Sequence, residues 1–133
     1  MDSAPTPRPL QARPKYYDLS LARLPPPGLV SILHRVSGAL LFFPILPAVL
    51  FLLQATLGGA ESYERWREFL AHPLVKLALL GLIWLYVHHF LAGIRFLLLD
   101  LHIGIEKAPA RASAVAVLVL GLLATAFLGW RLW

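Results

Sequence analysis

The chain has 133 residues, of which 59% are hydrophobic and only 14% charged, and its mean hydropathy is +0.71. A soluble domain is about half apolar and about a quarter charged, so the composition indicates that lipid surrounds most of this chain. The absence of cysteine excludes disulfides, thiolate metal sites and cysteine-ligated iron–sulfur clusters within it. The net charge of +5 does not indicate nucleic-acid binding, because Lys and Arg lie outside or at the ends of the apolar runs.

The first 27 residues contain Asp2 and many prolines but no continuous apolar run, so we expect no signal peptide. They also lack the Ser/Arg-rich, amphipathic character of a mitochondrial transit peptide. We therefore expect a cytoplasmic tail over residues 1–27 and a membrane domain over residues 28–133. The expected location is a bacterial inner membrane rather than a mitochondrial one.

Three apolar segments, at about residues 28–57, 74–101 and 112–133, are long enough to cross a bilayer. One crossing needs roughly 20 helical residues, so the sequence predicts an all-α membrane protein with three transmembrane helices. Residues 58–73 carry enough charge for a short amphipathic surface helix. Pro44 and Pro47 predict a bend inside the first span, because each removes a backbone hydrogen bond.

The distribution of basic residues predicts the orientation in the membrane. Eight of them lie on or close to the side that holds the N-terminus and the second loop: Arg8, Arg13, Lys15, Arg23, Arg35, Arg95, Lys107 and Arg111. Four belong to the opposite side: Arg65, Arg67, Lys76 and Arg131. We therefore expect the N-terminus inside and the C-terminus outside.

The second span ends with the sequence H-F-L-A-G-I-R-F-L-L-L-D, from His89 to Asp100. At about 100° per residue, His89, Gly93, Phe96 and Asp100 share one stripe, whereas His88 points elsewhere. An imidazole in a bilayer is costly unless it faces protein or a cofactor. Gly93 is expected to leave a flat gap beside His89 that suits a porphyrin. The alternative is that His89 only hydrogen-bonds a neighbouring helix, which is the role we expect for His88.

The first span begins with S-I-L-H-R-V-S-G, in which Ser31, Arg35, Gly38 and Phe42 share a stripe and His34 lies beside Arg35. A serine hydroxyl and a fixed cation are suitable donors to the carbonyl oxygens of a quinone, which gain negative charge on reduction. Anionic haem propionates would also be attracted by Arg35 and His34. The alternative is that Arg35 extends to the interface and only helps to set topology.

The polar residues of the two motifs have matching expected depths in the membrane. His89 lies six residues, or about 9 Å, from Arg95, which we expect near the inner interface, as we do Arg35. A haem on His89 could therefore turn its propionates toward the first-span cluster. Low-spin iron needs a second axial ligand, and we expect His34 to lie too near the surface to supply it. A partner chain is the expected source.

These motifs resemble the cytochrome b membrane-anchor subunit of succinate dehydrogenase (complex II). The resemblance rests on R-P-x-x-x-D-L at Arg13–Leu19, S-I-L-H-R-V-S-G at Ser31–Gly38 and H-x-x-x-G-I-R at His89–Arg95. It covers about residues 13–133, in the same order and with matching spacing.

For the haem, the resemblance implies that His89 is an axial ligand of haem b within the motif that contains Gly93. It also implies that His34 lies near the propionates, together with Arg35. Members of the family often have His directly after the G-x-R arginine, where this chain has Phe96. Any role of that position in contacts to protons or haem is therefore in doubt.

For the substrate, the resemblance implies that Ser31 and Arg35 bind ubiquinone and that Asp100 takes part in proton delivery. It further implies a complex in which a flavoprotein subunit oxidises succinate and an iron–sulfur subunit relays electrons. A second small membrane-anchor subunit would supply the other haem histidine, so this chain would not carry the succinate-oxidising site.

The sequence is also compatible with other functions, which differ in the features they require. A fumarate reductase anchor would run the reaction in reverse. A purely structural anchor would bind no cofactor. A transporter or channel subunit should have polar residues through the length of a span, whereas the first and third spans are almost wholly apolar.

Overall fold

The computed structural model describes residues 24–132, and every regular element within that range is helical. Helix α1 (Pro26–Leu40) continues through a π-helical segment (Leu41–Ile45) into α2 (Leu46–Thr56), and α3 (Ala60–Ala71), α4 (Pro73–Asp100) and α5 (Lys107–Leu132) follow. Three continuous helices, Pro26–Thr56, Pro73–Asp100 and Lys107–Leu132, are long and apolar enough to span a membrane. The three predicted spans are confirmed, although the third begins at Lys107 rather than near residue 112. The predicted tail up to residue 23, with the Arg13–Leu19 motif, lies outside the described residues.

Local chemistry explains where the helices begin and end. Pro26 and Pro73 occupy first-turn positions, where a missing N–H costs nothing. The end of α4 is closed by two backbone bonds, from the His102 N–H to the Leu99 oxygen and from the Ile103 N–H to the Leu98 oxygen, each 2.9 Å. This pattern turns the chain sharply, with His102 in the left-handed region at φ 61°. The turn brings α5 back against α4.

The backbone hydrogen-bond register of the first span changes near its prolines. Pro44 has no N–H to donate, and the structure accommodates it in the π-helical segment Leu41–Ile45. The Leu46 N–H accordingly bonds to the Leu41 oxygen, five residues earlier. The sequence predicted a disruption here, and its form is a π-helical turn.

Helices α1, α4 and α5 pack around a small core, and most large apolar side chains remain exposed at the surface of the chain, as expected where lipid or another membrane subunit covers it. The buried face of α5 consists of small residues at helical spacing: Ala114, Val117, Gly121, Thr125 and Gly129. Small residues let transmembrane helices approach closely. The α5 backbone therefore lies directly against its neighbours.

The predicted surface helix between the first two spans is confirmed as α3. Its exposed face carries the ion pairs Arg65–Glu61 (3.9 Å) and Arg67–Glu64 (2.8 Å). The Ser62 hydroxyl donates to the Ala55 carbonyl at 2.6 Å and connects α3 to α2. This helix covers the end of the bundle opposite the turn between α4 and α5.

Candidate functional site

The site centres on two imidazoles from different helices. His34 of α1 and His89 of α4 stack with ring centroids 4.3 Å apart and planes 9° from parallel. The sequence analysis expected His34 nearer the surface than His89, whereas the structure brings the two rings into direct contact. Within the described residues, no group of three or more His, Cys, Asp or Glu side chains could hold a metal ion.

The hydrogen bonds of His89 determine which ring nitrogen is free. Its Nδ1 lies 3.1 Å from the carbonyl oxygen of His34 and 3.2 Å from Oγ of Ser37. A carbonyl oxygen can only accept, so we assign the ring proton to Nδ1. Nε2 then carries an unprotonated lone pair. This is the state in which an imidazole binds a metal, with the other ring nitrogen donating to a backbone carbonyl.

His89 lies in an apolar groove of about 660 Å³ between the first span and α4. The groove is lined by Gly38, Leu41, Phe42, Ile45, Leu46, Val49, Leu82, Tyr86, His89 and Phe90. Three of these residues belong to the π-helical segment, which therefore shapes one wall. A large apolar groove with one imidazole is suited to a flat hydrophobic group with a metal at its centre.

The close approach of the two helices occurs at Gly38. A Cβ at that position would lie only 2.8 Å from Cε1 of His89, which is too close for any side chain. By contrast, a Cβ at Gly93 would lie at an ordinary contact distance, 3.6 Å, from Nε2 of His34. The expectation of an open gap over Gly93 is thus corrected: His34 lies there, and the space beside His89 is provided by Gly38.

Ser31 and Arg35 lie on α1, on the stripe that continues through Gly38 and Phe42 into the groove. Ser31 is half-buried and Arg35 is exposed. Within residues 24–132, neither side chain has a hydrogen-bond or ion-pair partner, so a hydroxyl and a guanidinium are available beside the groove. Arg35 is three residues, or about 4.5 Å along the axis, from Gly38.

The remaining polar residues of the second motif do not join this groove. Arg95 is buried and donates to Oγ of Ser113 (3.0 Å) and to the Ala110 carbonyl (3.1 Å), which connects α4 to α5. Asp100 is exposed at the last turn of α4. The Phe96 ring lies between the two regions, with its centroid 5.1 Å from that of His34 and 5.3 Å from the Arg95 guanidinium carbon.

His88 is fully buried, and its ring stacks on Trp84 with centroids 5.3 Å apart. The backbone of Val30 in α1 is a polar group that faces this ring, although neither ring nitrogen makes a well-formed hydrogen bond with the described residues. The expected hydrogen bond of His88 to a neighbouring helix stays a prediction.

The sequence analysis gave no role to Ser37 and Gly38, although both belong to the first-span motif. The available signal was their position: three and four residues after His34, they share its side of the helix. Their importance depends on which part of α4 faces them, and periodicity within α1 does not contain that information.

Known proteins are similar to this chain over most of its length. A sequence model of the succinate dehydrogenase/fumarate reductase transmembrane subunit family matches residues 9–128. The chain is 34% identical, over 91% of its length and 97% of the relative's, to a succinate dehydrogenase cytochrome b556 subunit of Coxiella burnetii (strain RSA 493 / Nine Mile phase I). It is 33% identical to the protein of that name from Paracoccus denitrificans, over 80% of this chain and 81% of the other.

The family match covers most of the chain, and it includes the first two spans, most of the third, and the motifs at Ser31–Gly38 and His89–Arg95. The relatives align over most of their own length, so the likeness extends to the whole membrane domain. The chain is therefore a multi-pass membrane protein that belongs to the succinate dehydrogenase/fumarate reductase transmembrane subunit family.

Proposed function

We propose that this chain is the haem b-binding membrane-anchor subunit of a succinate:ubiquinone oxidoreductase. The observation that carries the proposal is the state of His89: Nδ1 lies 3.1 Å from the His34 carbonyl, Nε2 has no hydrogen-bond partner among the described residues, and the residue lines an apolar groove. The two relatives are named cytochrome b556 subunits, which supports a b-type haem.

The residues present fit such a group. The groove has apolar walls for the porphyrin face, and His89 offers one imidazole nitrogen for an axial position. Its stacking partner His34 and the nearby Arg35 supply polar groups for propionates on the same side. The second axial histidine would come from the second small membrane-anchor subunit. When bound, haem b supplies a one-electron redox centre inside the membrane.

Ser31 and Arg35 are proposed to bind ubiquinone. The Ser31 hydroxyl would donate to one quinone oxygen, and the Arg35 guanidinium would stabilise the negative charge that develops on reduction. Electrons would come from the iron–sulfur subunit, which receives them from the flavoprotein subunit that oxidises succinate. Asp100, exposed at the end of α4, would help to deliver protons.

The orientation and location that the sequence predicts are part of this proposal. The N-terminus and the turn between α4 and α5 would face the cytoplasm of a bacterium, and the C-terminus would lie outside. Arg35, Arg95 and Arg111 would then all lie toward the inner leaflet, which follows the positive-inside rule.

A second candidate is the fumarate reductase anchor, because the matching family includes both enzymes. The two functions differ in the direction of electron flow and in the quinone used. Assays of the purified complex in both directions, with ubiquinone and with menaquinone, distinguish them.

The proposal is tested on the purified whole complex. His89→Ala should abolish the low-spin b-type absorption and reduce the haem content measured as pyridine haemochrome. His102→Gly is the matched control, since it removes an exposed imidazole at a left-handed backbone position that suits glycine. Unchanged b-type bands in the His89→Ala complex would reject His89 as ligand.

Quinone binding is tested separately. Arg35→Ala should lower succinate:quinone reductase activity by about 10²-fold or more, as expected when a charge that stabilises a transition state is removed. Arg111→Ala, which removes another exposed arginine of the same side, should leave the activity nearly unchanged. Equal activities of the two variants would exclude Arg35 from the quinone site.

A further inference from the structure

We propose that Ser37 and Gly38 are positioning residues that set the tautomer and the place of the His89 ring. This inference rests on the proposed function, in which Nε2 of His89 binds haem iron. Neither residue touches that nitrogen through a polar group of its own. Ser37 contacts Nδ1 on the opposite edge of the imidazole, and Gly38 lies beside its Cε1.

Ser37 connects the His34 carbonyl and the His89 ring by hydrogen bonds. Its side chain is 1% exposed, and its Oγ donates to the His34 carbonyl at 3.0 Å. With its proton used in this way, Oγ is an acceptor for the His89 Nδ1–H at 3.2 Å. The same carbonyl lies 3.1 Å from Nδ1, and because a carbonyl oxygen cannot donate, this contact assigns the ring proton to Nδ1. The arrangement is consistent only with a protonated Nδ1.

Gly38 provides the space for the ring. A Cβ there would lie 2.8 Å from Cε1, 3.4 Å from Nδ1 and 3.8 Å from Nε2 of His89. Cε1 is bonded to both ring nitrogens, so a push on this atom displaces Nδ1 from its acceptors and Nε2 from its place in the groove. The stacked His34 ring, 4.3 Å away, restricts the movement that could relieve the contact.

Adjacent residues of one helix thus control two properties of the same imidazole. Ser37 affects how strongly the ring donates electrons, because a hydrogen bond from the distal N–H raises the basicity of the ligating nitrogen. Gly38 affects where that nitrogen lies. The two effects can be separated by experiment, because one is electronic and the other is steric.

The steric part is tested with Gly38→Ala in the intact complex. The expected result is a loss of at least half of the haem, or an altered low-spin signal in electron paramagnetic resonance, because the ring must move. Gly81→Ala in the middle of α4 is the matched control, since a Cβ there meets nothing within 4 Å. Its haem content and spectrum should equal those of the unmodified complex.

The electronic part is tested with Ser37→Thr and Ser37→Val, a pair of nearly equal shape that differs in the hydroxyl. Any steric cost of the added methyl group is common to both. The Val variant should have the higher haem midpoint potential, with the one-electron equilibrium constant changed by about fivefold, or about 40 mV, for one hydrogen bond. The Thr variant should retain the potential of the original complex more closely.

The outcomes distinguish this inference from the proposed function. If the complex contains no haem, or if His89→Ala retains it, the proposed function itself fails. If His89→Ala loses haem while Gly38→Ala is spectroscopically normal and the Thr and Val variants have equal potentials, only the positioning roles are overturned. If Gly38→Ala does not assemble, the Ser37 pair decides, and equal potentials there reject the inference.

Discussion

The connection that Arg95 makes between α4 and α5 can be measured by a double-mutant cycle. Arg95 is 5% exposed and donates to Oγ of Ser113 and to the Ala110 carbonyl. Within residues 24–132, its Nη1 has no hydrogen-bond partner and no carboxylate forms an ion pair with it. The guanidinium therefore combines favourable hydrogen bonds with an unfavourable desolvation that no opposite charge offsets.

The expected magnitude follows from these two terms. A hydrogen bond to a charged group is worth about 1.5–3 kcal/mol in soluble proteins, whereas side-chain bonds between transmembrane helices average about 0.6 kcal/mol, with a maximum of about 1.7 kcal/mol. We expect the Arg95–Ser113 coupling to be about 1 kcal/mol. Arg95→Met, which keeps an unbranched apolar chain, should cost little overall, because the lost bonds are partly offset by the removed burial of charge.

The assay is reversible unfolding in mixed micelles, applied to Arg95→Met, Ser113→Ala and the double variant. Ser113→Ala should lower the free energy of unfolding by about 1 kcal/mol when Arg95 is present, because it leaves the Arg95 Nε unpaired. In the Arg95→Met background the same substitution should change the free energy of unfolding very little. The same cost in both backgrounds would show that the 3.0 Å contact contributes no coupling energy, and the reasoning would be refuted.

Three further predictions concern neighbouring sites. His88→Leu should leave the b-type spectrum intact and the stability unchanged or up to about 1 kcal/mol higher, since the buried ring nitrogens have no well-formed hydrogen bond within residues 24–132; loss of haem would show that His88, and not only His89, serves the cofactor. Gly129→Val should destabilise the bundle by about 1–3 kcal/mol, because a Cβ there would lie 2.6 Å from Cδ1 of Leu80; thermal unfolding should show recovery with Leu80→Ala, and no recovery would place the strain elsewhere. Asp100→Asn should slow quinone reduction without changing haem content, and an unaltered rate would remove Asp100 from proton delivery.

The sequence by itself determined the helical architecture. Hydropathy and length located the three spans, because a run of apolar side chains in lipid must satisfy its backbone hydrogen bonds within a helix. Proline marked the altered hydrogen-bond register at Pro44, because its effect on the backbone is local. Motif spacing also singled out His34 and His89 as residues of one functional region.

Only the tertiary structure decided how these helices face one another. The stripe that contains His89 was readable from periodicity, but the contact of its ring with His34, Ser37 and Gly38 depends on the rotation and crossing of two helices distant in sequence. Arg95 likewise is directed to α5 rather than to the groove. Periodicity defines a face within one helix, whereas the partner of that face is chosen by packing, and the tautomer of an imidazole is set by the acceptors that this packing brings to it.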